Sequence, residues 1–120
     1  MSKGGPVAGL GAASEVRGVW TTFPDRAAAE RWLRPLVEGG VVACGNLFPE
    51  MGSMYRWKGA VEVAEECGLL MKTTVARVEE VRDALAKHPY EVPAFVVFEV
   101  EEVAASYLKW LLDETRGGRG

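Results

Sequence analysis

A two-layer α+β sandwich of order βαββαβ, followed by one more helix at the C-terminal end, is what this sequence predicts, and three observations carry the prediction. Two long extended segments meet at Lys58-Gly59, a dipeptide suited to a two-residue hairpin turn. Helical periodicity flanks that hairpin on both sides and returns near the C-terminal end, between shorter runs rich in β-branched residues. The chain of 120 residues, 48% hydrophobic and 26% charged, is enough for one ordinary globular core and too short for two.

The elements follow in order. Residues 1–14, rich in Gly and Ala without period, are expected to be a disordered N-terminal tail, and 116–120 its C-terminal counterpart, leaving 15–115 as the domain. Glu15 to Thr22 reads as the first strand. Asp25 stands where an N-cap belongs, ahead of AAAERWLRPLVE, whose Trp32, Leu33, Leu36 and Val37 form one stripe. Pro35 conflicts with a helix interior, and Gly39-Gly40 supplies the stop. Val41–Trp57 and Ala60–Thr74 form the hairpin. If Trp57 faces Ala60, paired positions sum to 117, which sets Cys44 opposite Thr73 and Cys67 opposite Glu50. The two thiols are then too far apart to bridge, and Pro49 and Gly52 mark a bulge. Thr74 is expected to cap a second helix reaching Lys87, with Val78, Val81 and Leu85 inward, stopped by His88-Pro89. Val92–Val100 is the fourth strand, and Ala104 to Thr115 the last helix. This order is the ferredoxin-like split βαβ arrangement, here with a long central hairpin.

Such a sandwich leaves one sheet face to water, so its strands should alternate in polarity. They do not: Phe95 and Val97 point one way, and Val96, Phe98 and Val100 the other. The chain has no spare helix to cover a second apolar face, so association with copies of itself is expected.

Composition excludes several classes. A net charge of −3 lacks the basic face that nucleic-acid binding needs. No apolar run is long enough to span a membrane, and a cytoplasmic location is expected. Two cysteines are too few for a disulfide framework, and His88 is the single histidine. No GxGxxG, Walker A, GxSxG or CxxC pattern occurs. A small hydrolase of the acylphosphatase kind would need an arginine-bearing phosphate loop after the first strand, where the chain reads Thr21-Thr22-Phe23-Pro24.

The string Lys87-His88-Pro89-Tyr90-Glu91-Val92-Pro93 resembles the HPYExP signature of the CutA divalent-cation-tolerance proteins. Thr21–Glu30, Val41–Gly59, Met71–Thr74 and Tyr107–Leu111 fit the same family's pattern in the same order. The resemblance implies a non-enzymatic, ferredoxin-like homotrimer in which neighbouring hairpins extend each other's sheets, with a role in tolerance of divalent metal ions, copper above all. It also implies kinship of architecture with the PII signalling trimers, hence the alternative of a small-molecule or anion sensor with an intersubunit cleft. In members with suggested copper ligands, a cysteine follows the first strand and two histidines precede Pro-Tyr. Here those positions are Thr21 and Lys87-His88, so His88 is the remaining candidate metal ligand and any copper binding is expected to be weak. Lys72, Tyr90 and Glu91 are the candidates for the ligand cleft, with a Lys–Glu ion pair between subunits as the competing reading. Trp57, Tyr107 and Trp110 are the candidate interface anchors.

Overall fold

The computed structural model describes residues 10–116. Its strands are β1 (Leu10–Ala12), β2 (Val16–Phe23), β3 (Cys44–Trp57), β4 (Ala60–Thr74), β5 (Val96–Glu99) and β6 (Glu102–Ala104). Its α-helices are α1 (Arg26–Glu38), α2 (Val78–Asp83) and α3 (Ala105–Thr115). The main sheet runs β3-β4-β2-β5, all antiparallel, and β1 pairs with β6 in a small second sheet. The α+β sandwich with helices against an antiparallel sheet is as the sequence predicts.

Local chemistry explains most boundaries. Asp25 caps α1, its Oδ1 accepting from the Ala28 amide at 2.9 Å. Helix α1 continues through the exposed Pro35 to Glu38, and Gly40 then takes the left-handed conformation at φ 71°. At the hairpin tip Lys58 and Gly59 have φ of 52° and 84°, the doubly positive pair of a primed turn. The register starts as expected, with Trp57 opposite Ala60. Between Phe48 and Met51 it slips by one, because Pro49 and Glu50 face Cys67 alone. Glu50 absorbs the bulge at φ 60°. Cys44 therefore pairs with Lys72 rather than Thr73, whereas Cys67 keeps Glu50, now with Pro49, across from it on β3 and meets Phe23 of β2 on its other side. Both thiols are free.

Other boundaries differ from the expectation. Leu10–Ala12, inside the segment expected to be disordered, forms a strand on Glu102–Ala104; three residues are too few to show a period. Ala13, also inside that segment, is buried against Val16 and Leu111, while residues 1–9 and all of the C-terminal segment beyond Arg116 lie outside the described residues. The helix expected from Thr74 to Lys87 is a 3₁₀ turn (Val75–Arg77), then α2, then a second 3₁₀ turn (Ala84–Lys87). Thr74 makes no capping bond, because it is buried within β4 and the next amide, that of Val75, donates to the Glu15 carbonyl at 2.7 Å. The fourth strand shrinks to Val96–Glu99: Pro93 has no amide to give a ladder, and Tyr90 is tied elsewhere.

One sheet face is closed by α1 and α2. Val19, Phe23, Leu69 and Met71 project into Ala29, Trp32, Leu33, Leu36 and Val81. On the other face α3 covers one end, where Val16, Ala43 and Leu111 are buried with Tyr107 and Trp110 against them. The rest of that face is uncovered. Trp20, Phe48, Leu70, Val96 and Phe98 share it by register, with Phe48, Val96 and Phe98 exposed at 45%, 44% and 49%.

Candidate functional site

His88 is the best-defined polar residue in the interior. It is 9% exposed, set where the chain leaves the second 3₁₀ turn, and stacked on Phe23 with centroids 4.3 Å apart. Trp32 meets it edge-on at 6.0 Å. Its Nδ1 accepts from the Tyr90 amide at 3.1 Å, so that nitrogen carries the lone pair. The proton is then on Nε2, 3.1 Å from the Thr21 hydroxyl oxygen, to which it donates. Burial pushes the His88 pKa below its ordinary 6.5, keeping the ring neutral, while a nearby Thr22 backbone group acts weakly the other way.

Two of the three positions singled out as ligands by resemblance thus converge, Thr21 and His88 in direct contact. Lys87 is exposed and lines a separate depression of about 500 Å³ between α1 and α2, with Trp32 and Asp83. Both His88 nitrogens are already engaged, one as donor and one as acceptor. A metal at Nδ1 would have to displace the Tyr90 amide. Among the described residues no three His, Cys, Asp or Glu side chains group closely enough to hold a metal ion.

Tyr90 turns the chain from His88 toward the hairpin. Its hydroxyl donates to Glu66 Oε2 at 2.7 Å, and burial together with the Glu66 carboxylate pushes its pKa far above the usual phenol range. Glu91 is exposed beside it. These residues border a groove of about 570 Å³, within the range of small-molecule sites, with Thr22, Ser53, Tyr55 and Trp57 on its other walls. Lys72 does not join them. It lies six residues along β4 from Glu66, on the order of 20 Å at strand rise, with its Nζ 5.7 Å from the Tyr107 ring centroid. Tyr107 and Trp110 pack together at 5.4 Å, and the Tyr107 hydroxyl is 3.6 Å from Cys44 Sγ. Burial, and next the Cys44 contact, push the Tyr107 pKa far up. Trp57 is exposed near the hairpin tip, the Lys58 ammonium 5.5 Å from its ring centroid. Sequence reasoning missed Glu66 as the partner of Tyr90. The hairpin register could have placed Glu66 at that end of β4, but nothing in the sequence reports the path of residues 89–95.

The profile of the CutA1 divalent ion tolerance protein family matches residues 18–114. The chain belongs to that family. It is 39% identical over 99 residues to the divalent-cation tolerance protein CutA of Pyrococcus horikoshii, covering 82% of this chain and 96% of the relative. It is 34% identical over 101 residues to human protein CutA, covering 83% of this chain and 56% of the human one. The solved CutA of Synechococcus elongatus superposes with a TM-score of 0.85 at 28% identity, covering 90% of this chain and 96% of that one. Pyrococcus horikoshii CutA does so at 0.78 and 39% identity, covering 83% and 99%. The CutA name refers to tolerance of divalent cations, not to a reaction. Among the described residues no helix is long and apolar enough to cross a membrane.

Proposed function

We propose that this CutA-family chain works as a non-enzymatic homotrimer in the cytoplasmic response to divalent metal ions, with weakened affinity for copper. The observation that carries the assembly is the uncovered apolar sheet face of Trp20, Phe48, Leu70, Val96 and Phe98, a surface that a single chain in water has reason to hide. Weak copper binding is supported by the state of His88, whose two nitrogens already hold Thr21 and the Tyr90 amide. The free Cys44 and Cys67 fit a reducing compartment. Light scattering coupled to size exclusion is expected to give a mass of three chains, and a monomer at micromolar concentration would refute the assembly. Calorimetric titration with Cu(II) at neutral pH is expected to give weak heat that His88→Ala abolishes; tight binding that survives that change refutes the ligand choice.

A second reading, a regulatory trimer that senses a small molecule, is favoured by the groove beside Tyr90 and Glu91. In an assembled trimer a neighbouring subunit would close its open side. The separation of Lys72 from Tyr90 within one chain means that such a cleft takes its lysine from another subunit or does without one.

A further inference from the structure

Resting on that second reading of the groove, we infer that its ligand is an organic ammonium ion, gripped by aromatic faces and carboxylates, rather than an anion or a metal. The argument starts from the register of the outer hairpin. Met51, Ser53, Tyr55 and Trp57 stand opposite Glu66, Ala64, Glu62 and Ala60, so these residues share one face of the ribbon. That face presents two aromatic rings and two carboxylates. The chain emerging from His88 adds Tyr90 and Glu91 at its border. Arg56, the only cationic residue of the groove wall among the described residues, has the opposite parity on β3 to Tyr55 and Trp57, and the two lining carboxylates outnumber it.

Of the two carboxylates that line the groove, Glu66 accepts from the Tyr90 hydroxyl and Glu91 makes no ion pair among the described residues, which leaves its charge uncompensated. An electron-rich ring beside an unpaired carboxylate is the arrangement that holds substituted ammonium groups. Trp57 already attracts one cation, the Lys58 ammonium at 5.5 Å. The negative field is felt by Tyr90, whose ionisation is opposed by burial and then by Glu66, with smaller contributions from Tyr55 and Asp25. A bare metal ion is the poorer fit, because among the described residues no three potential ligands converge. An anion would meet like charge from Glu66 and Glu91.

The test uses the full-length protein in its native oligomeric state and follows the Trp57 indole and the Tyr90 and Glu91 amides by NMR. The probes are tetramethylammonium, its neutral size match tert-butanol, inorganic phosphate and magnesium. Saturable shifts at these three residues with tetramethylammonium alone are expected. Glu91→Gln, exposed and checked by light scattering for unchanged assembly, should weaken binding about tenfold. Equal shifts with tert-butanol overturn the inference, as do ammonium shifts indifferent to the Glu91 substitution. Phosphate or magnesium binding in the groove without ammonium binding overturns it while leaving the ligand cleft standing. Silence from every probe overturns both.

Discussion

The two halves of the β3–β4 hairpin obey different rules although one pair of strands builds both. The half beside β2 is sealed: Leu69 and Met71 are fully buried under α1. The half beyond the bulge is bare, with Met54, Val63 and Val61 exposed at 74%, 70% and 60%. Hydrophobic residues of equal quality are thus spent within the chain in one half and left over in the other. The difference teaches that apolar content in a strand does not by itself tell how much of it one chain will bury.

Substitutions in the two halves should separate accordingly. Phe23→Ala, at the centre of the sealed half against Trp32 and His88, is expected to cost about 3–5 kcal/mol in chemical denaturation. A loss below that range would show that the core collapses around the gap. Trp57→Ala in the bare half should leave the subunit folded and dissociate the proposed trimer, read by light scattering; an unchanged mass with unchanged melting would move the proposed interface elsewhere. Gly68 and Gly52 give a finer contrast on the same hairpin. A Cβ at Gly68 would stand 2.4 Å from Trp20 Cη2 and 3.1 Å from Met51 Sδ, so Gly68→Ala should destabilise by about 1–3 kcal/mol.

The His88 ring adds a pH signature to the sealed half. Its folded pKa lies below the unfolded value near 6.5, so below that pH the unfolded chain binds the proton more readily. Stability is fully present above about 6.5 and is lost as pH falls toward the folded pKa. His88→Gln should flatten that slope in melting curves between pH 7 and 5 (about the histidine range). Smallest of all, Gly52→Ala meets nothing within 4 Å and is expected to shift stability by no more than about 0.5 kcal/mol. A large loss there would mean that a neighbouring subunit packs on that spot.

How much of this was legible in the sequence depends on the range of the forces involved. Asp25, Gly40 and Lys58-Gly59 act within a few residues of themselves, the first through its carboxylate and the others through their backbone, and each does what its residue type dictates. The two-faced strands announced an uncovered face before any coordinates. The strand at Leu10–Ala12 was not legible, because its pairing depends on Glu102–Ala104, far along the chain. The site was legible as a set of residues and not as a geometry. Tyr90 and Glu91 do border one groove, whereas Lys72 sits rows away, since strand positions alone do not say which end of the sheet a following loop crosses. Thr21 was read as a lost ligand, and it proves to be the partner of the one histidine.

The bulge at Pro49 and Glu50 divides β3 into two phases. Phe48 and Met51, an odd number of residues apart, end on the same side because one partner residue answers two. Excising Glu50 alone would therefore regularise the ladder, giving Pro49 the whole of Cys67, and would leave Tyr55 and Trp57 on the side they hold now. Removing a pair of residues from each strand near the tip would shorten the ribbon and keep its faces. Away from the bulge, length in this hairpin is quantised: it can change in steps of two without altering what the ribbon presents, whereas a single residue added to or taken from the regular ladder makes a different surface.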